Sequence, residues 1–462
     1  MRKASALLTL VFLAGCSFAP KHTRPDLATA PVYPAEYAGD SLAGEKATAI
    51  AWRDIVADPR LEALIDSALA HNRELVAATA RIEEARGLYR VQGADRLPTV
   101  GATGNATRTH GAVGGIEGPI TIDRFAVGVA APVFELDFWG RVRNLTEAAR
   151  SRYLATVQAQ RAFRLSLIRQ VSSTYLTSLE AAERVRLAEQ TVESRREGLR
   201  IARTRFEAGI TSALDWRQAE SLLTQAEAQL AALKLAKARA DNALAVLVGT
   251  AVSSLPEPRP LTEQVTGRAL AAGLPSELLV TRPDIIAAEE ELRASRANIG
   301  AARAAFFPSI SLTGNFGYAS SELDGLFGGD GNTWSFGPSI NLPLFDNGRR
   351  RGNLSANEAR EDIAVANYER TVQRAFQEVA DALAGRELLA EQVAAQARAT
   401  SATRQVAELA RVRYEEGVVN YLQVLDAERN LFAAEQALLQ VQRAEAENLI
   451  ALYVALGGGL IE

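Results

Sequence analysis

The stretch Arg413-Tyr414-Glu415-Glu416-Gly417-Val418-Val419-Asn420-Tyr421-Leu422-Gln423 repeats an earlier one, about 208 residues upstream: Arg205-Phe206-Glu207-Ala208-Gly209-Ile210-Thr211-Ser212-Ala213-Leu214-Asp215. Each copy turns on a glycine, Gly209 or Gly417. Before that glycine, residues 144–208 and 353–416 contain no proline and one glycine apiece; after it, 210–248 and 418–456 contain neither. A long run without breakers, a glycine suited to the left-handed position past a helix end, and an N-cap residue at Ser212 or Asn420 together predict a helical hairpin. At 1.5 Å per residue, arms of about 64 and 39 residues reach roughly 95 and 60 Å. Helices of that length need continuous partners, because propensity alone stabilises them weakly. Leu422, Leu425, Phe432, Leu439, Leu449 and Ile450 alternate with Ala427, Ala433, Ala437 and Ala446, a large-and-small mixture suited to close antiparallel packing. A duplicated hairpin on this scale is a stiff wall rather than a catalytic scaffold.

The duplication extends outward. Leu97-Pro98-Thr99-Val100 answers Phe307-Pro308-Ser309-Ile310, Ala131-Pro132-Val133-Phe134 answers Leu342-Pro343-Leu344-Phe345, and Leu247-Val248-Gly249 answers Ala455-Leu456-Gly457. One structural unit is used twice, at a period too long for a helical-repeat solenoid. The first repeat is expected over 60–250: a short helix, a strand pair within 99–134 and a hairpin over 144–248. The second is expected over 281–457, with its strand pair at 309–342 and its hairpin at 353–456. Phe125, Val127, Val129, Ala131 and Val133 alternate as in a half-buried strand. Residues 251–280, with Pro256, Pro258 and Pro260, join the repeats; 458–462 form a tail.

The N-terminus gives the compartment. Arg2-Lys3, an apolar run from Leu7 to Leu13, and small residues before the only cysteine make residues 1–15 a signal segment, too short to span a bilayer. Leu13-Ala14-Gly15-Cys16 resembles a bacterial lipobox, which makes Cys16 the acylated start of an extended arm over 16–59, and Ser17 after it fits sorting to the outer membrane. No disulfide is available to the remainder. Net charge is −4, which gives no reason to expect nucleic acid. Aromatics make up only 6%, in keeping with alanine-rich helices packed through small side chains.

No later segment carries eighteen consecutive apolar residues, so a transmembrane helix is not expected. A chain that crosses lipid without one must do so as a closed barrel. Four strands per chain cannot close a barrel; three chains supply twelve, with cyclic symmetry joining the edges.

With Trp52, Asp58-Pro59-Arg60-Leu61, Asn72-Arg73-Glu74-Leu75, Leu274-Pro275-Ser276-Glu277-Leu278-Leu279, Arg282-Pro283-Asp284-Ile285, Ala305-Phe306-Phe307-Pro308 and Leu425-Asp426-Ala427 in this order, the chain resembles outer-membrane efflux channels of the TolC/OprM type, in their NodT-like lipoprotein branch. The resemblance implies a mixed α/β, mostly helical channel. It would be a homotrimer with a twelve-stranded transmembrane β-barrel in outer-membrane lipid, an α-barrel of coiled-coil hairpins in the periplasm and an equatorial belt around residues 250–280. It implies a passive conduit for drugs or small solutes, docked through a periplasmic adaptor onto an inner-membrane pump of the RND type, with no enzymatic activity and no cofactor beyond the lipid on Cys16.

The same resemblance directs attention to the turns. Leu422 and Asp426 lie four apart on one helix face. By resemblance that face points at the trimer axis, making an apolar constriction and an acidic ring that favours cations. Where some family members carry a second acidic residue this chain has Gln423, so the ring is less negative. Tyr414 and Arg413 are expected to restrain the gate by links to Asp215 or a nearby carbonyl. Leu214 and Gln218 occupy the matching places of the first copy, so only the second hairpin carries the carboxylate. Other chemistry finds no support: His22, His71 and His110 are scattered, Asp324 and Asp330 lack EF-hand spacing, and Gly328-Gly329-Asp330-Gly331 lacks the lysine of a P-loop. Arg349-Arg350-Arg351 and Trp139 fall at strand-to-helix junctions, near the expected inner lipid surface. A type I secretion outlet and, in a different class, a periplasmic coiled-coil adaptor lipoprotein are the rival readings; the four strands and the duplication disfavour the adaptor.

Overall fold

The computed structural model describes residues 17–25, 33, 44–112, 114, 118–250, 255–266, 268–271, 277–328 and 331–461. The signal segment 1–15, Cys16, Leu274-Pro275-Ser276 and Asp330 lie outside the described residues. The chain is mostly helical, with one four-stranded antiparallel sheet. In order come β1 (Glu45–Lys46), α1 (Trp52–Ile55), α2 (Pro59–His71), α3 (Arg73–Ala94), β2 (Gly101–Ala112), β3 (Pro119–Leu136), α4 (Arg141–Glu207) and α5 (Ala213–Val248). The second half follows with β4 (Leu270–Ala271), α6 (Leu278–Thr281), α7 (Pro283–Ala304), β5 (Ser309–Ser320), β6 (Asn332–Asn341), α8 (Arg349–Glu415) and α9 (Tyr421–Ala455). The described residues divide into two compact units. One takes in Arg81–Val157 and Ala287–Glu369 with residues 17–25; the other takes in Gln158–Ile286 and Arg370–Glu462 with the residues before Arg81. Each unit draws on both sequence repeats, so the division runs across the duplication rather than between its copies.

The first unit holds the sheet, ordered β2-β3-β5-β6. Its register sorts the side chains by chemistry. Ala102, Val129, Phe316 and Trp334 lie in one cross-strand row, and Thr103, Gly128, Gly317 and Thr333 in the next. Because successive residues alternate faces, Phe125, Val127, Leu312, Tyr318 and Phe336 join the apolar rows, while Asn105, Thr107, Thr313, Asn315 and Ser335 join the polar ones. On the apolar face, toward the β2–β3 turn, Arg108 and Asp123 pair at 2.6 Å and end the apolar band. Expected alternation through Ala131 and Val133 is broken by a bulge between Ala131 and Phe134. It contains Pro132, which has no N–H to give a ladder; the extra residue lets Phe134, opposite Leu312, resume the apolar face. Trp334 and Phe336 are 74% and 65% exposed, so the apolar face is bare within one chain.

The second unit is built on its helices. The short helix expected from Arg60 to Gly93 breaks at Asn72, whose ψ of 124° is not helical, giving α2 and α3. The last part of the expected arm folds: Trp52 and Ile55 are buried in α1, and β1 pairs in parallel with β4 from the joining segment. Asp58 is fully buried. It caps α2 through Arg60 N–H at 2.8 Å and accepts from the Tyr175 hydroxyl at 2.6 Å, Gln264 Nε2 at 3.0 Å and Arg259 N–H at 3.2 Å. Among the described residues these bonds satisfy the carboxylate without an ion pair, and they tie α2, α4 and the joining segment together. Burial, followed by the bond to Asp58, pushes the Tyr175 hydroxyl well above its ordinary range.

One clasp recurs in both repeats. Asn72 Nδ2 donates to the Leu247 carbonyl at 2.8 Å, near the end of α5, while its Oδ1 accepts from Leu75 N–H at 2.9 Å. At the matching place Arg282 donates to the Ala455 carbonyl at 3.1 Å, at the end of α9, and pairs with Asp284 at 2.6 Å and Glu378 at 2.8 Å. Gly249 follows the first clasp with φ 75°, and a Cβ there would lie 2.5 Å from the His71 carbonyl; glycine alone fits. Helix-end carbonyls are unsatisfied by their own helix, so the return arm of each hairpin is closed by the residue that leads into α3 or α7, earlier in its own repeat. Arg282→Met should destabilise the protein by about 2–3 kcal/mol, because it leaves the Ala455 carbonyl and two half-buried carboxylates without their partner. Asn72→Ala should cost about 1–2 kcal/mol. Thermal unfolding of detergent-solubilised protein checks this, and equal losses would show that the ion pairs add nothing to the clasp.

Candidate functional site

Both hairpin turns have the same backbone. Gly209 (φ 70°) donates to the Phe206 carbonyl at 2.9 Å and Ile210 to that of Arg205 at 2.9 Å; Gly417 (φ 73°) donates to Tyr414 at 3.0 Å and Val418 to Arg413 at 2.9 Å. This is the Schellman arrangement, which satisfies the last carbonyls of α4 and α8. The next helices start on side-chain caps, Ser212 accepting from Asp215 N–H at 3.4 Å and Asn420 from Gln423 N–H at 3.3 Å.

The side chains then diverge. Leu422 is 48% exposed and shares a face of α9 with Asp426. Asp426 pairs with Arg429, one turn on, at 3.0 Å, both groups being more than half exposed; such a pair is worth about 0–1 kcal/mol. Asp215 accepts from the Thr211 hydroxyl. No hydrogen bond joins Tyr414 or Arg413 to Asp215 within one chain among the described residues. Tyr414 is engaged instead by aromatic contacts: its ring lies 5.0 Å from that of Tyr421, and the Arg205 guanidinium from the first hairpin sits over it at 4.6 Å. The first turn has its own stack, Phe206 against Trp216 at 5.3 Å.

A further link between the hairpins was not foreseen. Arg195 of α4 is 5% exposed and lies 3.3 Å from the Glu428 carboxylate of α9, as an ion pair that leaves Arg195 NH1 without a well-directed hydrogen bond. Burial pushes the Glu428 carboxyl up, against the pull of Arg195 and Arg411. The neighbouring Tyr421 hydroxyl is pushed up to about 12 by burial and then by the charge of Glu428. Gly198 makes room for it, since a Cβ there would land on the Tyr421 hydroxyl. Gly198 is the sole glycine in residues 144–208, and that was the one signal of this contact in the sequence. Glu428 also borders a cavity of about 360 Å³ with Arg404, Arg411, Phe432 and Glu435.

A sheet apolar on one face and polar on the other, with antiparallel helices of 67 and 36 or 35 residues, is an architecture that suits an outer-membrane channel subunit. The comparisons with known proteins agree. Residues 64–250 and 274–458 match the outer membrane efflux protein family. The solvent efflux pump outer membrane protein SrpC of Pseudomonas putida is 40% identical over 463 residues, covering 99% of this chain and 98% of its own length. The cation efflux system protein CusC of Escherichia coli K12 is 39% identical over 449 residues, covering 97% of each. The open-state crystal structure of the MtrE outer membrane channel of Neisseria gonorrhoeae aligns with TM-score 0.87 at 39% identity, covering 96% of this chain and 99% of that one. The chain belongs to the outer membrane efflux protein family. It is the outer-membrane channel component of an efflux system.

Two outcomes are expected at the link between the hairpins. Gly198→Ala should destabilise the protein by about 1–3 kcal/mol through overpacking, and adding Tyr421→Phe should recover part of the loss by removing the oxygen that the new methyl meets; melting curves of the single and double variants test this, and additive losses would refute the contact. The Glu428 pKa is raised in the folded state above its ordinary 4.5, so its contribution is fully present below pH 4.5 and is lost as pH rises through the folded value. Glu428→Gln should remove that part of the pH slope of stability, which denaturant titrations between pH 4 and 8 measure.

Proposed function

We propose that three copies of this chain close a single conduit: a twelve-stranded β-barrel in the outer membrane, continued by the helical hairpins as a periplasmic tunnel. The observation that carries this reading is the sheet. Its outer strands, β2 and β6, each pair on one side only within the chain, and its bare apolar face is one that lipid would cover. Open strand edges are unsatisfied in hydrocarbon, so a neighbour must supply the missing bonds, and cyclic symmetry does so for all copies at once.

The turns at Gly209 and Gly417 are then the periplasmic end, and the gate lies on α9. Leu422 side chains converge as an apolar constriction, and Asp426 carboxylates form a ring that concentrates cations and repels anions. Arg429 beside each Asp426 tempers this charge, and Gln423 adds none. Arg413, Tyr414 and Asp215 restrain the second hairpin, with Tyr414 held against Tyr421 and Arg205 inside the chain and Arg413 and Asp215 left for contacts between copies. The partners are a periplasmic adaptor and an inner-membrane pump of the RND type, which supplies the energy. Cys16 carries the lipid that anchors the arm, and the chain itself needs no cofactor and catalyses no reaction.

The cargo is drugs or other small solutes that the pump selects. Relatives named for solvent efflux and for cation efflux stand at 40% and 39% identity to this chain, which favours a conduit of low selectivity. The Leu422→Ala, Asp426→Ala double variant should raise single-channel conductance in planar bilayers severalfold and lower the preference for cations. A wild-type conductance and ion selectivity in that variant would place the gate elsewhere.

A further inference from the structure

Both long helices begin on arginines at matching places, Arg141 and Arg143 in α4 and Arg349 and Arg351 in α8. Cations there oppose the helix dipole, whose positive end they share. The helix starts already have their anions. Asp137 accepts from Val142 and Arg143 N–H groups at 3.1 and 2.7 Å, and Asp346 from Gly348 and Arg350 at 3.1 Å each. The side chains of Arg141 and Arg350 are engaged by Glu135 and Asp346. Arg349 and Arg351 are exposed and make no ion pair or side-chain hydrogen bond among the described residues.

The chain just before them is as bare in the opposite sense. Leu344 and Phe345 are 89% and 87% exposed, more than any other large hydrophobic residue among the described ones. Arg350 fixes the spot by donating to the Pro343 and Ala305 carbonyls and lying 5.8 Å from the Phe306 ring. Next to Phe306, Phe307 stacks on Trp139 at 4.8 Å and on Phe18 at 4.7 Å, and Trp139 Nε1 donates to the Pro308 carbonyl at 2.8 Å. Apolar side chains, a tryptophan with its N–H satisfied and unneutralised guanidiniums thus adjoin within one unit, the sequence of chemistries that a bilayer presents from acyl chain to headgroup.

We propose that Arg349 and Arg351 form a basic collar that holds the phosphates of anionic phospholipids, while Leu344 and Phe345 seat among the adjoining acyl chains. This rests on reading the apolar sheet face as lipid-facing. The full-length protein is reconstituted into phosphatidylcholine vesicles with and without phosphatidylglycerol, beside Arg349→Ala/Arg351→Ala and Arg349→Lys/Arg351→Lys variants. Conductance and phosphatidylglycerol retained per protein, by native mass spectrometry, are read together. The wild type should retain phosphatidylglycerol over phosphatidylcholine. The alanine variant should retain it about five-fold less per arginine removed, and the lysine variant should keep most of it. An unchanged preference in the alanine variant with normal conductance overturns the collar and leaves the channel standing. So does displacement of the retained phosphatidylglycerol by inorganic phosphate, which marks a free-anion site, or loss of trimers by the alanine variant in lipid-free detergent, which marks a contact between copies. A wild type that gives no conductance overturns the membrane reading itself, and the collar with it.

Discussion

Everything in this chain depends on the return of a very long arm to its starting point. A helix of 67 residues is stable only while its sides are covered, and the covering helix comes back along it from the turn. What fixes the register of that return is the clasp at its end, Asn72 to Leu247 and Arg282 to Ala455. Each is a single side chain satisfying a helix-end carbonyl, yet each joins parts of one repeat separated by most of its length. The two copies solve the same geometric problem with different strength. The first uses a neutral amide; the second uses a buried guanidinium held by Asp284 and Glu378. Burial works against that charge, and the two carboxylates more than restore it.

Much of this was legible in the sequence because breakers are sparse and informative. The distribution of proline and glycine set the hairpins, and the alternation around Val127 set the strands. What was not legible depended on partners far away. The clasps join residues 175 and 173 positions apart, and their acceptor is a backbone carbonyl, which leaves no trace in residue type. The helical period of Leu61, Leu64 and Ile65 continues beyond Asn72 into Leu75 and Ala78, so the break there is invisible until the clasp requires it. At the bulge, Val133 prolongs the apparent alternation by one step, and only pairing with Leu312 shows that Phe134 has taken over.

The turns were legible in part for the same reason. Spacing alone places Leu422 and Asp426 on one face, and the same rule applied one step further finds Arg429. The family resemblance pointed Tyr414 and Arg413 toward Asp215 or a nearby carbonyl, whereas within the chain the Tyr414 ring is held by Tyr421 and by the Arg205 cation, about 0.5–1 kcal/mol each at half-exposed sites. An aromatic hydroxyl suggests a polar partner, but the ring carries most of the buried area. Arg195 and Glu428 escaped notice because each is ordinary on its own helix, and their meeting is a property of the packing between two hairpins.

The Schellman closure of both turns has a mechanical meaning. Within two residues of Gly209 and Gly417 the carbonyls of the arriving helix are bonded, and within three the departing helix is capped. Little slack remains at either tip to serve as a hinge. A hairpin closed in this way transmits displacement like a rod bent double: its tip travels where the helices slide, and the resistance to that travel is distributed over side-chain contacts along the arms. The glycine that creates the turn therefore sets where the motion is seen, while small residues along the helices, Gly198 near the tip among them, set how much force it takes.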